Sequence, residues 1–364
     1  MPYDAEFLHT RTTQSDLKAC VAMMQSGSKT FFAASRLLPP RVRSHAIALY
    51  AFCRVADDLI DEQPAHLATQ AVDQLKQRLD AIYRGVPGNH IEDQALSLVV
   101  EDVNLPRHFL DWLIEGFAWD AQGFSCVTLS DVHNYAVRVA GTVGAMMCWI
   151  MGQRDVPTLS RACELGVAMQ LTNMARDVGD DARKGRIYLP LEWMHQEGIH
   201  PQAWLNHPEH NPAIGRLTDR LLDSADLLYA QALPGIASLP TDCRAAIHAA
   251  NLIYAEIGHQ LRREGLDSVN HRTVVSTSRK LVLLLKAWTQ ARWICMSDEV
   301  PSSLPEIEAF LGASGEAGAR SAQGQSSQGF VRPQRSLGQR VNWVMDLIEK
   351  RETLRRERPF SGVG

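Results

Sequence analysis

The chain has 364 residues, 45% hydrophobic and 21% charged, the composition of an ordinary folded protein with apolar material for one large core or two modest ones. A formal net charge of −4 argues against a dedicated nucleic-acid binder, and seven cysteines without a C-x-x-C fit buried free thiols in a reducing compartment. Met1 to Arg11 carries Asp4 and Glu6 and no apolar core, so no targeting leader is expected, and the longest apolar run, Val139 to Met151, is too short for the roughly 20 residues of a membrane span.

Helical patterns follow one another along the chain, and strand signals are sparse. The spacing predicts a helix over Asp16–Met24 that leads into Gln25–Phe32. Gly27-Ser28-Lys29-Thr30 lacks the earlier glycine and the preceding strand of a phosphate loop, which rejects a nucleotide site. Ser28, Lys29 and Thr30 are read as meeting a diphosphate near a helix N-terminus, with an ordinary cap as the alternative. Phe31 and Ser35, four apart, project to one side of the helix that follows.

Leu37-Leu38-Pro39-Pro40 stops that helix, and Arg41–Glu62 forms the next. On it Tyr50, Arg54, Asp57 and Asp61 stand at steps of four, three and four and share one face, whereas Asp58 lies on another. Helices are predicted over Ala65–Arg84, Gln94–Val100, Pro106–Ala121 and Val132–Met151. Asp120, in an apolar helix, reads as support for a metal site or as a structural ion pair; the small Ala140 and Gly144 read as channel lining or as a packing seam.

The helix predicted over Val156–Asp180 carries Gln170, Asn173, Asp177 and Asp181 at steps of three, four and four, with Arg176 beside Asp177. Further helices are predicted over Ala213–Leu233, Thr241–Glu264 and Thr277–Cys295. Gly312–Gly329 is rich in Gly, Ala, Ser and Gln, and beyond it Trp343, Val344, Leu347, Ile348 and Leu354 recur at helical spacing ahead of Arg355, Arg356 and Arg358. This divides the chain into a helical domain over 1–303, a flexible linker over 304–335 and a basic amphipathic helix with its tail over 336–364.

Two oxygen-rich stripes set among apolar residues imply acids facing an interior cleft, which is costly unless cations neutralise them. Mg²⁺ takes one or two carboxylates and completes its shell with water and substrate phosphates, and the two arginines add bidentate clamps on a diphosphate. There is no His-Glu-x-x-His and no Gly-x-Gly-x-x-Gly, so zinc hydrolysis and nicotinamide binding have no support.

The patterns Tyr-x-x-x-Arg-x-x-Asp-Asp-x-x-Asp at 50–61 and Gln-x-x-Asn-x-x-Arg-Asp-x-x-x-Asp at 170–181, followed by Gly-Arg-Ile-Tyr-Leu-Pro at 185–190, resemble the squalene and phytoene synthase family. The resemblance covers about residues 20 to 295. It implies an all-α fold, one large helical domain of the isoprenoid synthase type with a central cavity. It implies head-to-head condensation of two prenyl diphosphates with Mg²⁺, or Mn²⁺ in its place. Catalytic roles fall to Asp57, Asp61, Asp177, Asp181, Arg54 and Arg176, and metal ligation to Asp57, Asp61, Asn173, Asp177 and Asp181. Ser28, Lys29, Thr30, Phe31, Ser35, Tyr50, Tyr135, Gln170, Tyr188, Tyr254 and Arg272 are the expected substrate contacts, Arg272 from the pattern Arg-x-x-Val-Ser-x-x-x-Lys-Leu at 272–281 and Tyr254 from the helix that precedes it. Gly27 stands where the family has a histidine.

The small Ser35 leaves room for a long chain, which with the Arg272 pattern points to geranylgeranyl diphosphate and phytoene without NADPH. Farnesyl-using squalene or dehydrosqualene synthesis is the alternative, and a non-catalytic assembly factor of the same fold a more distant one. The expected setting is cytoplasmic, with peripheral membrane contact or downstream carotenoid enzymes as partners, no nucleic acid, and an open oligomeric state.

Overall fold

The computed structural model describes residues 14–61, 65–294 and 303–318. Two helices open it, α1 (Gln14–Gly27) and α2 (Lys29–Ser35), the second starting where the sequence reading puts a helix N-terminus. Ser28 parts them: its backbone is extended, and its hydroxyl accepts the Phe31 N–H at 3.2 Å, satisfying a donor that the new helix cannot. Pro40 then begins α3 (Pro40–Asp61) at a position where a missing N–H costs nothing. α4 (Ala65–Tyr83), α5 (Ile91–Val103) and α6 (Arg107–Ala121) follow.

The predicted helix over 132–151 is three pieces: α7 (Leu129–Ala136), a π-helical turn (Val137–Gly141) and α8 (Thr142–Ile150). In the π turn the Thr142 N–H reaches back five residues to the Val137 carbonyl. Arg138 on that turn lies over the rings of Trp112 and Trp119, 4.3 and 4.0 Å from their centroids, and donates to Glu115 at 3.2 Å, which fastens the turn to α6.

The predicted helix over 156–180 is two, α9 (Val156–Arg176) and α10 (Val178–Arg183). Next come α11 (Leu191–Gln196) and α12 (Pro201–Asn206), which the pattern does not predict, then α13 (Pro212–Ser238), α14 (Thr241–Arg263), α15 (Thr277–Gln290) and α16 (Pro305–Gly318). Among the described residues there is no strand.

Helix α9 is the axis. Asp155 caps it by accepting the Thr158 N–H at 2.9 Å, and its side chains are buried on nearly every face, as befits a helix wrapped by others. It packs against α7, the π turn, α8, α13, α14 and α16. The Ala140/Gly144 strip belongs to this packing: a Cβ on Gly144 would fall 2.1 Å from the Ala162 carbonyl oxygen, so glycine lets α8 and α9 touch backbone to backbone, and the channel-lining reading gives way to the seam.

The expected linker over 304–335 requires correction at its start, where α16 is folded onto the core. Ile307, Phe310 and Leu311, at i, i+3 and i+4, are buried, and the Phe310 ring lies 5.3 Å from Phe109 and 5.1 Å from Trp112. The Ser130 hydroxyl donates to Glu306 at 2.5 Å and ties the helix start to α7. The rest of the linker and the amphipathic helix at 336–364 lie outside the described residues.

Candidate active site

The second stripe is bent, and a tertiary contact bends it. α9 stops at Arg176 and Asp177 takes φ −106°, ψ 16°, although the Asp177 N–H still bonds the Asn173 carbonyl at 2.9 Å and the Asp181 N–H bonds that of Asp177 at 2.8 Å. Between them the Gly179 N–H leaves the helical ladder and donates to the Ser268 carbonyl at 3.0 Å. A Cβ on Gly179 would sit 2.0 Å from the Val269 carbonyl oxygen, so only glycine admits the 266–270 loop here.

That loop brings in Arg272. Its Nε donates to one Asp177 oxygen at 2.8 Å and its terminal nitrogen to the other at 3.3 Å, while the Arg176 Nε donates to the first oxygen at 2.8 Å. Burial alone would raise the Asp177 carboxyl; the two guanidiniums outweigh it and hold the group below the usual carboxylate range. Asp181, one turn on, has burial and the Asp177 charge pushing it up to about 7 against the weaker pull of Lys184 and Arg186. Gln170 and Asn173 are half-buried on the preceding turns of α9.

On the first stripe Arg54 is nearer Asp58, at 2.5 Å, than its face-mate Asp57, at 3.7 Å, and its side chain is 45% exposed. Arg54 is therefore held by the acid one helical turn on, at i+4, and this corrects the expectation that Asp58 stands apart. Asp61 is the last residue of α3, and its side chain lies outside what is described, as do those of Lys29 and Thr30 at the start of α2.

An aromatic set links the stripes. Phe31 lies 6.1 Å from the Tyr50 ring and 5.3 Å from that of Tyr254, centroid to centroid. Tyr254 hydrogen-bonds Ser28; burial raises its hydroxyl to about 12, and it feels Arg176 and Asp177 from one stripe and Tyr50 from the other. A Cβ on Gly27 would fall 2.4 Å from the Tyr50 hydroxyl oxygen, so the residue that departs from the family's histidine leaves its space to Tyr50. Ser35 is buried at the end of α2, with its hydroxyl on the Phe32 carbonyl at 2.9 Å.

A third group was only half legible. Asp120 accepts the Tyr135 hydroxyl at 2.5 Å and the Tyr188 hydroxyl at 2.7 Å, and the two rings stack at 5.1 Å. Burial, with the Asp120 charge, raises both phenols well above their ordinary range and keeps them protonated. Asp120 thus accepts two phenols, contacts the sequence reading did not name; an acid at the end of an apolar helix was the available signal, and the tyrosines it serves come from two distant segments. Tyr188 and Asp181 also line one small recess, with Met174, Ile187 and Trp204 on its walls.

No three Asp, Glu, His or Cys side chains among the described residues cluster closely enough to cage a metal. Mg²⁺ fits this donor set nonetheless, since it takes one or two carboxylates and completes its shell from substrate phosphates and water. Burial first, and the Asp177 charge second, push Asp181 up, a shift that a bound cation would oppose.

The family model described as Squalene/phytoene synthase matches residues 24–280. A phytoene synthase of Rhodobacter capsulatus is 48% identical over 80% of this chain and 84% of its own length; one of Cereibacter sphaeroides is 49% identical over 76% and 80%. Among solved structures, a ligand complex of a dehydrosqualene synthase superposes with a TM-score of 0.70 at 31% identity, covering 77% of this chain and 98% of that one. The squalene synthase HpnC of Alicyclobacillus acidocaldarius gives 0.63 at 25% identity, covering 69% and 95%.

Proposed function

This chain belongs to the squalene/phytoene synthase family, and from that premise we propose that it joins two molecules of geranylgeranyl diphosphate head to head to give phytoene, without NADPH. It is a prenyltransferase of the isoprenoid synthase fold. The observation that carries the reading is Asp177 held between Arg176 and Arg272 with the half-buried Asp181 one turn on, an arrangement suited to a metal and a diphosphate together.

Asp57 and Asp61 on α3, and Asn173, Asp177 and Asp181 across the α9–α10 bend, would hold Mg²⁺, or Mn²⁺ in its place. When bound, the ion neutralises the diphosphate as a leaving group. Arg54, Arg176 and Arg272 grip phosphate oxygens with paired N–H groups, and the latter two release Asp177 as they do so. Loss of diphosphate from the first substrate leaves an allylic cation. The faces of Phe31, Tyr50 and Tyr254 line its surroundings and favour it by ~2 kcal/mol each when water is excluded. The second substrate's double bond attacks, and the adduct loses a proton from the first substrate's C1 as the ring closes to a cyclopropylcarbinyl diphosphate. That ionises by losing its own diphosphate, and the rearranged cation loses a second proton; departing diphosphate or a tyrosine oxygen takes up each proton. Asp120 holds the Tyr135 and Tyr188 hydroxyls in place during these steps.

Curated relatives at 42–49% identity bear the name phytoene synthase, and this supports the longer chain. The dehydrosqualene synthase likeness at 31% supplies the second reading, with farnesyl diphosphate as substrate. Incubation with Mg²⁺ and either diphosphate, with and without NADPH, decides between them by product mass: phytoene from geranylgeranyl diphosphate in both conditions is expected, and a farnesyl-derived product alone overturns the assignment. Ser35→Phe, which fills space beyond Phe31, is expected to raise the farnesyl to geranylgeranyl rate ratio about tenfold; an unchanged ratio removes Ser35 from the chain-binding wall. Among the described residues no helix is long and apolar enough to cross a membrane. We place the enzyme in the cytoplasm with peripheral contact to the membrane that holds its product, where downstream carotenoid enzymes would meet it.

A further inference from the structure

Helix α15 buries Leu283, Leu284 and Ala287 and packs on α14, and it turns an apolar edge the other way. Val282 and Leu285, three residues apart on its outer face, are 56% and 46% exposed. Trp293, in the turn that closes the helix, is 81% exposed, and Val274, just ahead of its start, 68%. These are four of the nine large apolar side chains exposed among the described residues, gathered within one helix and its flanks.

The same stretch is cationic in an acidic protein. Residues 271–297 hold five Lys and Arg and no Asp or Glu, against −4 for the whole chain. Arg272 and Arg279 turn to Asp177 and Glu256, while Lys286 and Arg292 are exposed beside the apolar edge.

We propose that the outer face of α15, from Val274 to Trp293, rests on an anionic lipid bilayer. Tryptophan and aliphatic side chains enter the interfacial layer while lysine and arginine reach its headgroups. Charge separates this occupant from the two others available. Residues 319–364 carry nine Lys and Arg against four Asp and Glu, so that segment is repelled by a basic face, and a second copy would set the face against itself. An anionic bilayer complements both its charge and its apolar edge. The patch begins at the rim of the active site, since Val274 lies two residues beyond the Arg272 that holds Asp177. A prenyl diphosphate could enter, and a hydrocarbon leave, without crossing bulk water. That use rests on the function proposed above; the docking does not.

The full chain is sedimented with vesicles of phosphatidylcholine alone and of an equimolar mixture with phosphatidylglycerol. The expected result is binding to the mixed vesicles, weakened about tenfold on pure phosphatidylcholine or in about 0.5 M NaCl. Val282→Glu with Leu285→Glu, and separately Lys286→Glu with Arg292→Glu, are each expected to weaken it about tenfold or more, with turnover of detergent-dispersed substrate unchanged. If the first pair perturbs folding by circular dichroism, the second pair, which leaves the helix's apolar residues in place, decides. Wild-type binding by the decisive pair, absence of binding by the wild type, or a concentration-dependent dimer that the variants dissolve would each overturn the proposal. Loss of turnover on dispersed substrate by the wild type would count against the enzymatic reading and leave the docking result standing.

Discussion

Asp177 shows how a carboxylate can be set into a helix bend at little cost. Two guanidiniums satisfy it, so its burial is offset, and guanidiniums are also the side chains best shaped to bind phosphate. Asp177→Ala and Asp57→Ala are expected to lower turnover by about 10² or more while helix content by circular dichroism stays the same, because the ligand is lost and the helix is not. Near-normal turnover in both would sink the two-stripe arrangement. Asp120 sits one step further from the chemistry. Asp120→Asn keeps its shape but turns one acceptor into a donor, so one of the two phenols loses its partner. Turnover is expected to fall about 10–100-fold with little change in KM; a variant with wild-type kcat would make the cluster merely structural.

At the scale of elements, the helices were legible and their interruptions were not. Apolar periodicity marks α3, α9, α13 and α14 because each buries a broad face, and the steps between Tyr50, Arg54, Asp57 and Asp61 follow from one unbroken helix. The bend at Asp177 depends on a carbonyl at Ser268, nearly a hundred residues on, and no local pattern announces it. Likewise the π turn is held by Trp112 and Trp119 from another helix. α16 is a different failure. Small residues from Gly312 onward suggested a linker, and they masked the i, i+3, i+4 spacing of Ile307, Phe310 and Leu311. Its Phe310 is fully buried, so Phe310→Ala is expected to cost about 3–5 kcal/mol, measured by urea unfolding. Ending the chain at Ser303 should cost at least as much, and a truncated protein as stable as the whole would show that α16 contributes nothing to the core.

For the whole molecule, acidity is the lever that buried histidines provide. Burial lowers His108, His133 and His248 below their ordinary value of 6.5, with Asp111, Glu306 and Gln290 respectively opposing it. A lowered folded pKa means that the unfolded chain binds protons first, so the stability these groups contribute is present above 6.5 and is lost as pH falls through their folded values. Asp181 and Glu164, raised to about 7 chiefly by burial, bind protons in the folded state and oppose this. The histidine share is therefore read against a variant with His108, His133 and His248 replaced by Gln, whose urea midpoint is expected to fall less, or rise more, than that of the wild type as pH is taken from about 7 to about 5. The same pH response in both proteins would mean that the three rings are wet.

The π turn has a consequence for how such a chain can change over generations. It spends one residue more than an α-helical turn, so losing that residue would rotate everything downstream by about 100° relative to α7. Gly144 would swing away from Ala162, and the α8–α9 seam would have to be rebuilt in the same event. Substitutions can wander around this turn one at a time; a deletion within it has no neighbouring sequence to step to, and the surplus residue works as a ratchet that keeps the interior of the molecule in phase.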